Sequence, residues 1–153
     1  MAQVTVTEEA PDQPEVAALI RALDNFHADL YPAESNHLLS IAELKAAGTK
    51  FVVARRDGVA VGTGGLLPRP GYGEIKRMYI APEARGKGLG REILNALLQL
   101  AAQADITVIR LETGVRNAEA LSLYRSFGFA ERGPFGEYVA DPHSIFMERR
   151  HLR

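Results

Sequence analysis

The segment Arg85–Gly90, with the sequence RGKGLG, contains the residues most suited to ligand chemistry in this chain. It stands between a short strand-like stretch and a longer segment whose apolar residues recur with helical periodicity. At such a junction the first N–H groups of the helix lack carbonyl partners, and the helix dipole presents its positive end. Glycines let a ligand approach the backbone, and Arg85 and Lys87 add positive charge. The segment predicts a phosphate site, although a glycine-rich turn that merely begins a helix has the same composition.

Spacing separates RGKGLG from two common nucleotide-binding motifs. A dinucleotide fingerprint has its third glycine three residues after the second, whereas these glycines recur at steps of two. A P-loop ends in Lys followed by Ser or Thr, but Arg91 and Glu92 follow here. Neither motif is therefore present.

The pattern Arg-x-x-Gly-x-Gly after MYIAP resembles the coenzyme A pyrophosphate loop of the GCN5-related N-acetyltransferase (GNAT) superfamily. A second signature of that family is matched downstream, where Asn117 precedes Tyr124 by seven residues and Gly128 and Phe129 follow. The resemblance implies direct transfer of an acetyl group from acetyl-CoA, the donor co-substrate, to an amine. It implies a donor site made of Met78, Tyr79, Ile80, Arg85, Gly86, Lys87, Gly88, Leu89, Gly90, Arg91, Asn117 and Tyr124.

The resemblance also assigns the chemical steps to residues. An alkylammonium has a pKa of about 10 and must lose a proton before it can attack. Glu74 matches the basic glutamate of histone-type members, although a Glu at a strand start is also commonly a solvated charge, and a water is the alternative base. The backbone N–H of Met78 matches the donor to the oxyanion, and Ile80 would pair with the pantetheine arm. Tyr124 matches the general acid for the departing thiolate.

The sequence gives less information about the acceptor site than about the donor site. The polar loop YPAESNHLL lies where the family's first two helices border the acceptor cleft, and a later loop, GPFGEY, could close the other side. Arg77 could hold a carboxylate by a two-pronged hydrogen bond, which favours an amino-acid-like acceptor. The predicted acceptor residues are Tyr31, Glu34, Asn36, His37, Arg77, Phe135 and Tyr138.

Three functions are compatible with these motifs. The leading one is acetyl transfer to the amine of a small molecule, because the clustered polar loop suits a compact pocket. A protein acetyltransferase that acts on lysine or N-terminal amines is the nearest alternative. A non-catalytic acyl-CoA sensor is the third, and the presence of Tyr124 argues against it because a sensor could dispense with a general acid.

Composition excludes several other classes. The 153 residues include 18 Lys and Arg against 19 Asp and Glu, so no basic field favours nucleic acid. No cysteine is present, which excludes disulfides, thiolate metal sites and cysteine nucleophiles. The four histidines have no metal-ligand spacing, and no metal is predicted. The N-terminus has no signal-peptide pattern and no apolar run reaches membrane length, which predicts a cytoplasmic protein without a membrane span.

The elements that must position these residues follow from hydrophobic periodicity. The predicted order is β-α-α-β-β-β-α-β-α-β-β, with Asp57 and Gly58 as a hairpin turn and two last strands at 129–138 and 144–149. This order matches the family fold, a single mixed and mostly antiparallel sheet flanked by helices (α/β). We expect one N-acetyltransferase domain over residues 1–153, and only analogy with the family suggests a homodimer.

Overall fold

The computed structural model describes residues 2–32, 40–46 and 48–150. Within these residues the elements follow the predicted order, and the predicted fold class is confirmed. The strands are β1 (Val4–Glu8), β2 (Lys50–Arg56), β3 (Val59–Arg69), β4 (Tyr72–Ile80), β5 (Val108–Gly114), β6 (Ala130–Arg132) and β7 (Ser144–Arg150). The α-helices are α1 (Pro14–Leu30), α2 (Ile41–Leu44), α3 (Leu89–Gln103) and α4 (Ala118–Ser126).

The described strands form one sheet in the order β1-β2-β3-β4-β5-β7-β6, in which β4 and β5 are the parallel pair. One face is covered by α3 and α4, because the apolar stripe of α3 packs on inward residues of β2 to β5. The other face carries α1 and α2, which pack on β2 and β3. None of the helices in the described ranges has both the length and the apolarity that crossing a bilayer requires.

A β-bulge interrupts β4 in the middle of the sheet. Between Lys76 and Tyr79, the two residues Arg77 and Met78 lie opposite the single residue Gly64 of β3. The backbone at Arg77 has φ of 60°, a left-handed conformation that is uncommon for a side chain of this size. The extra residue resets the alternation of β4, so that Lys76 and Arg77 both turn toward the α1 face while Met78 packs against the α3 face.

The parallel pair β4 and β5 is short. Gly73 to Ile75 pair with Ile109 to Leu111, and beyond these residues the two strands separate. Because β4 continues to Ile80, the second half of its β5-facing edge has no strand partner among the described residues. A gap therefore opens through the sheet between the two strands.

The strand predicted at 129–138 is too long, since β6 ends at Arg132. Gly133 and Pro134 follow it, and a proline cannot donate to a strand ladder. The segment 133–143 instead folds over the α1 face of β4, β5 and β7, where Phe135 is buried against Tyr72. The segment 133–143 therefore covers part of this face of the sheet, next to α1.

Candidate active site

One cavity of about 580 Å³ passes through the gap between β4 and β5. Its walls come from both faces of the sheet, since it reaches α1 on one side and α3 and α4 on the other. This size is typical of small-ligand pockets. The predicted residues on its walls are Tyr31, Arg77, Met78, Tyr79, Ile80, Arg85, Gly86, Gly88, Leu89, Gly90, Arg91, Asn117 and Tyr124, whereas Glu74, Lys87, Phe135 and Tyr138 are not on them.

The RGKGLG loop lies at the α3 end of the cavity. Gly86 and Gly88 have φ of 78° and 79°, and a Cβ added to either would meet no heavy atom within 4 Å. The first N–H of this helix to reach a carbonyl is that of Glu92, which donates to Gly88 at 3.2 Å. The N–H groups before it are therefore available to a ligand, as an anion site requires. Gly90 differs, because its Cβ would lie 3.3 Å from Leu123 and the glycine lets α3 and α4 approach each other.

The side chain of Arg85 folds back onto β4. Its Nε donates to the carbonyl of Ile80 at 2.9 Å, and its guanidinium lies over the rings of Tyr79 and Phe26 at 5.6 and 6.0 Å. The arginine therefore ties the loop to the end of β4 and to α1 while its charge stays on the cavity wall.

Arg91 is fixed in a similar manner by α4. Its guanidinium donates to the Ser126 hydroxyl at 3.0 Å and lies 4.8 Å from the ring centre of Phe127. A positive charge is thus held in place on the first turn of α3, beside the loop.

Tyr124 and Asn117 bring the second sequence signature to the same cavity. The Tyr124 ring is 5% exposed and lies edge-on to Phe129, and burial together with the negative charge of Glu112 raises the pKa of its hydroxyl well above the ordinary value. Asn117 is the N-cap of α4, because its side-chain oxygen accepts from the N–H of Ala120 at 3.4 Å. Asn117 therefore positions the helix that carries a protonated phenol to the gap.

Glu112 is a cavity residue that the sequence analysis missed. Its side chain leaves β5 toward the α1 face, is half-buried, and accepts a hydrogen bond from the Ser144 hydroxyl at 2.7 Å. It is near enough to Tyr124 to affect the pKa of that hydroxyl. The sequence did contain a signal for this residue. TVIRLET has a single Glu, which places one carboxylate on a strand whose opposite face is buried in the core.

Glu74 lies behind the cavity wall. Its side chain is 3% exposed and accepts hydrogen bonds from the hydroxyl of Tyr138 at 2.6 Å and from Nε of Arg69 at 3.2 Å. The predicted role as proton acceptor therefore loses its geometric support, because neighbouring side chains hold this carboxylate away from the cavity.

Tyr31 forms part of the acceptor-side wall, where the sequence placed it. Its hydroxyl accepts from the backbone N–H of Arg116 at 3.1 Å, and its ring lies about 6 Å from those of His27 and His143. Burial, together with the charge of Arg77, lowers the pKa of His27, which keeps that imidazole neutral. Across the described ranges, neither histidine joins a group of three or more side chains that could hold a metal.

Three other predicted acceptor residues, Glu34, Asn36 and His37, lie outside the described residues. Arg77 reaches the cavity, but its buried guanidinium forms an ion pair with Asp24 of α1. The positive charge of Arg77, which was predicted to hold the carboxylate of an acceptor, is therefore already paired with the carboxylate of Asp24.

Phe135 and Tyr138 lie one layer behind the cavity. Phe135 is buried and packs edge-on to Tyr138 at 5.1 Å. The Tyr138 hydroxyl accepts from Nζ of Lys76 at 2.6 Å and donates to Glu74, and burial together with the negative charge of Glu74 raises its pKa. Lys76, which does line the cavity, is a second residue that the sequence analysis missed.

Comparison with known proteins identifies relatives of this chain. The model of the Acetyltransferase (GNAT) family matches residues 16–129. A protein of Azospirillum brasilense named IAA acetyltransferase is 48% identical over 151 residues, which cover 97% of this chain and 99% of that protein.

Solved structures share the whole architecture. A protein of Klebsiella pneumoniae subsp. pneumoniae MGH 78578, whose name includes acyl-CoA N-acyltransferase, superposes with a TM-score of 0.82 and 37% identity over 98% of this chain and 99% of its own. The PaiA N-acetyltransferase of Thermoplasma acidophilum, solved in complex with coenzyme A, gives a TM-score of 0.77 at 19% identity, over 97% of this chain and 99% of its own. At that identity the second likeness shows the fold alone.

Proposed function

This chain belongs to the acetyltransferase (GNAT) family, and from that premise we propose that it transfers the acetyl group of acetyl-CoA to the amine of a small molecule. The observation that carries the proposal is the single cavity that joins the N-terminus of α3 to Tyr124 and Glu112 through the split sheet. We take residues 1–153 as one N-acetyltransferase domain.

The donor fits the α3 side of this cavity. The N–H groups around Gly86 and Gly88 suit a pyrophosphate, and Arg85 and Arg91 hold positive charge on the walls beside them. The edge of β4 beyond Ile75 has no strand partner, so its backbone groups can pair with the amides of a pantetheine arm. We propose that the N–H of Met78, next to the bulge, donates to the thioester oxygen.

The two polar side chains at the gap suit the chemistry. The amine nitrogen forms a bond to the acetyl carbon while the carbon–sulfur bond breaks, which yields an amide and the free thiol. Glu112, directly or through a water, accepts the proton that the amine must lose. Tyr124 delivers a proton to the departing sulfur, and its raised pKa ensures that the hydroxyl still holds that proton at neutral pH. Proton exchange with nearby solvent then returns Glu112 to its ionised form and Tyr124 to its protonated form.

The size of the cavity favours a small acceptor over a protein. The volume of about 580 Å³ must hold the acetylated end of the donor as well as the acceptor. The hydrogen bond between Tyr31 and Arg116 joins the end of α1 to the end of β5 and narrows this side of the cavity. A non-catalytic sensor would need neither a buried phenol nor a carboxylate at the gap, so the presence of both disfavours that function.

Two measurements test the proposal. Calorimetric titration of the native protein with acetyl-CoA should show binding in the micromolar range. Release of free thiol should then be followed with a panel of small amines, with lysine-containing peptides and with IAA, the compound that names the Azospirillum relative. We expect turnover with small amines at a kcat/KM at least tenfold above that for peptides. Absence of acetyl-CoA binding, or equal turnover of peptides, would overturn it.

A further inference from the structure

Two oppositely charged side chains lie on the two strands at the point where the sheet divides. The last paired residues of β4 and β5 are Ile75 and Leu111, and the next residue on each strand is Lys76 and Glu112 respectively. Residues in register on parallel strands direct their side chains to the same face. Both side chains line the cavity on the α1 side, beneath the proposed acceptor site.

The Lys76 ammonium is held in a fixed position rather than extended into solvent. Its side chain is 11% exposed, and Nζ donates to the Tyr138 hydroxyl at 2.6 Å and lies 3.7 Å from the Glu74 carboxylate. Glu74 is also bonded to Arg69, so this one carboxylate is shared between two cations. The segment 133–143, which carries Tyr138, thus fixes the position of the Lys76 ammonium beside the cavity.

The charges that face Lys76 are the carboxylates of Glu74 and Glu112 and the guanidinium groups of Arg69 and Arg77. Burial lowers the pKa of the Lys76 ammonium, while the two carboxylates oppose that effect. A ligand carboxylate beside this ammonium would replace the water it has lost and favour its charged form.

We propose that the acceptor is an amino acid, with its carboxylate bound by Lys76 and its amine directed to Glu112. The inference rests on the proposed function and names the acceptor class for the same site. Lys76 and Glu112 directly follow the last paired residues of two neighbouring strands, so one small zwitterion between the strands can contact both side chains. Arg116 also lines this cavity and adds positive charge to its wall. The side-chain amine of a protein lysine brings no carboxylate with it, which makes this pair of charges unsuited to such an acceptor.

Matched acceptors test the assignment. Thiol release should be measured with a panel of α- and ω-amino acids, each beside its own carboxamide, which keeps the amine and removes the negative charge. For the native enzyme we expect at least one amino acid whose kcat/KM exceeds that of its carboxamide by tenfold or more. Lys76→Met should raise the KM for that amino acid at least tenfold, change kcat by less than threefold, and bring the two kcat/KM values to within about threefold of each other.

Three further variants make the result specific. Lys76→Arg should retain a preference for the carboxylate, because it keeps the charge. Tyr138→Phe should raise the KM for the amino acid by a smaller factor, because it removes the hydroxyl that positions Lys76. Lys45→Met, at an exposed lysine paired with Asp12 on the surface, should leave both KM values unchanged.

The outcomes separate this inference from the proposed function. If native enzyme acetylates amines but treats amino acids and carboxamides alike, the acceptor assignment is wrong while the proposed function stands. Equal effects of Lys76→Met on both members of a pair would also overturn the assignment, since they would indicate a structural role for the lysine. No transfer to any amine would instead contradict the proposed function itself.

Discussion

The ring of Tyr31, at the end of α1, lies directly against Gly114, at the end of β5. A Cβ at position 114 would collide with the phenol, and the Tyr31 hydroxyl accepts from the N–H of Arg116 two residues further on. The absence of a side chain at position 114 therefore lets α1 reach across the open end of the cavity.

Gly114→Ala should damage this contact. The added methyl group must displace the Tyr31 ring, and we expect the free energy of unfolding to fall by about 2 kcal/mol. Urea denaturation measures the change. Gly133→Ala is the matched control, since a Cβ there meets nothing within 4 Å, and it should change the stability by less than about 0.5 kcal/mol. If the two variants are equally stable, the position of the Tyr31 ring does not require a glycine at position 114.

Gly88→Glu should abolish binding of acetyl-CoA. The substitution places a side chain and a negative charge in the open space where we position the pyrophosphate, so Kd should rise at least 100-fold in a calorimetric titration. Gly88→Ala is the control, because it imposes the same strain at φ of 79° with only a methyl group. If the Ala and Glu variants bind equally weakly, backbone strain rather than charge is responsible.

Glu112→Gln should reduce kcat by about 100-fold, because it removes the proposed proton acceptor and keeps the shape of the side chain. Glu74→Gln tests the carboxylate favoured by sequence. Since Arg69 and Tyr138 hold Glu74 behind the wall, we expect Glu74→Gln to lower the thermal unfolding temperature and to affect KM more than kcat. Steady-state kinetics with one small amine distinguish the two, and a larger loss of kcat in the Glu74 variant would restore the original assignment.

Tyr124→Phe should lower kcat by about 10- to 100-fold with little change in KM. The pH dependence gives a sharper test. Because burial and Glu112 raise the pKa of this hydroxyl, it keeps its proton as pH rises, and kcat should not fall between pH 7 and 10 through ionisation of Tyr124. A descending limb in that range, present in the native enzyme and absent from Tyr124→Phe, would show that the hydroxyl titrates where the structure says it does not.

Local sequence patterns were sufficient for most elements, and most of the residues predicted for the donor side line one cavity. Apolar periodicity identified the helices, and Gly86 and Gly88 of the predicted phosphate loop adopt a left-handed conformation. Ser40 and Glu43 form a capping box at the start of α2, which their three-residue spacing is enough to indicate. These features depend on residues a few positions apart. The sequence also contains a signal for the early end of β6, since Pro134 has no backbone N–H to donate to a neighbouring strand. The prediction of a strand over 129–138 overlooked that signal.

The acceptor side could not be predicted in the same way. Lys76 and Glu112 are 36 positions apart, and they become neighbours only because β4 pairs with β5 and the pairing stops one residue earlier. Likewise, the burial of Glu74 depends on Tyr138, which comes from a distant segment. Sequence spacing carries no information on where two strands separate, so the resemblance to histone-type members favoured Glu74 and gave no reason to consider Glu112.

The last prediction concerns the β-bulge at Arg77. The residue holds a strained φ of 60°, and its guanidinium, 3% exposed, is paired with Asp24 of α1. Asp24→Asn removes the countercharge, and we expect the free energy of unfolding to fall by about 2 kcal/mol, since Asp24 is itself partly exposed. Asp29→Asn, on the exposed side of the same helix, should cost less than about 0.5 kcal/mol.

A double variant distinguishes the ion pair from a general effect on α1. Arg77→Gly removes the buried cation and relieves the positive φ, so Asp24→Asn should cost little when it is added to Arg77→Gly. A coupling of at least 1 kcal/mol between the two positions in urea denaturation is the expected result. Additive losses would mean that Asp24 stabilises α1 independently of Arg77, and the bulge would then have to be held by its strand contacts, such as the bond from the Thr63 hydroxyl to the Arg77 carbonyl at 2.8 Å.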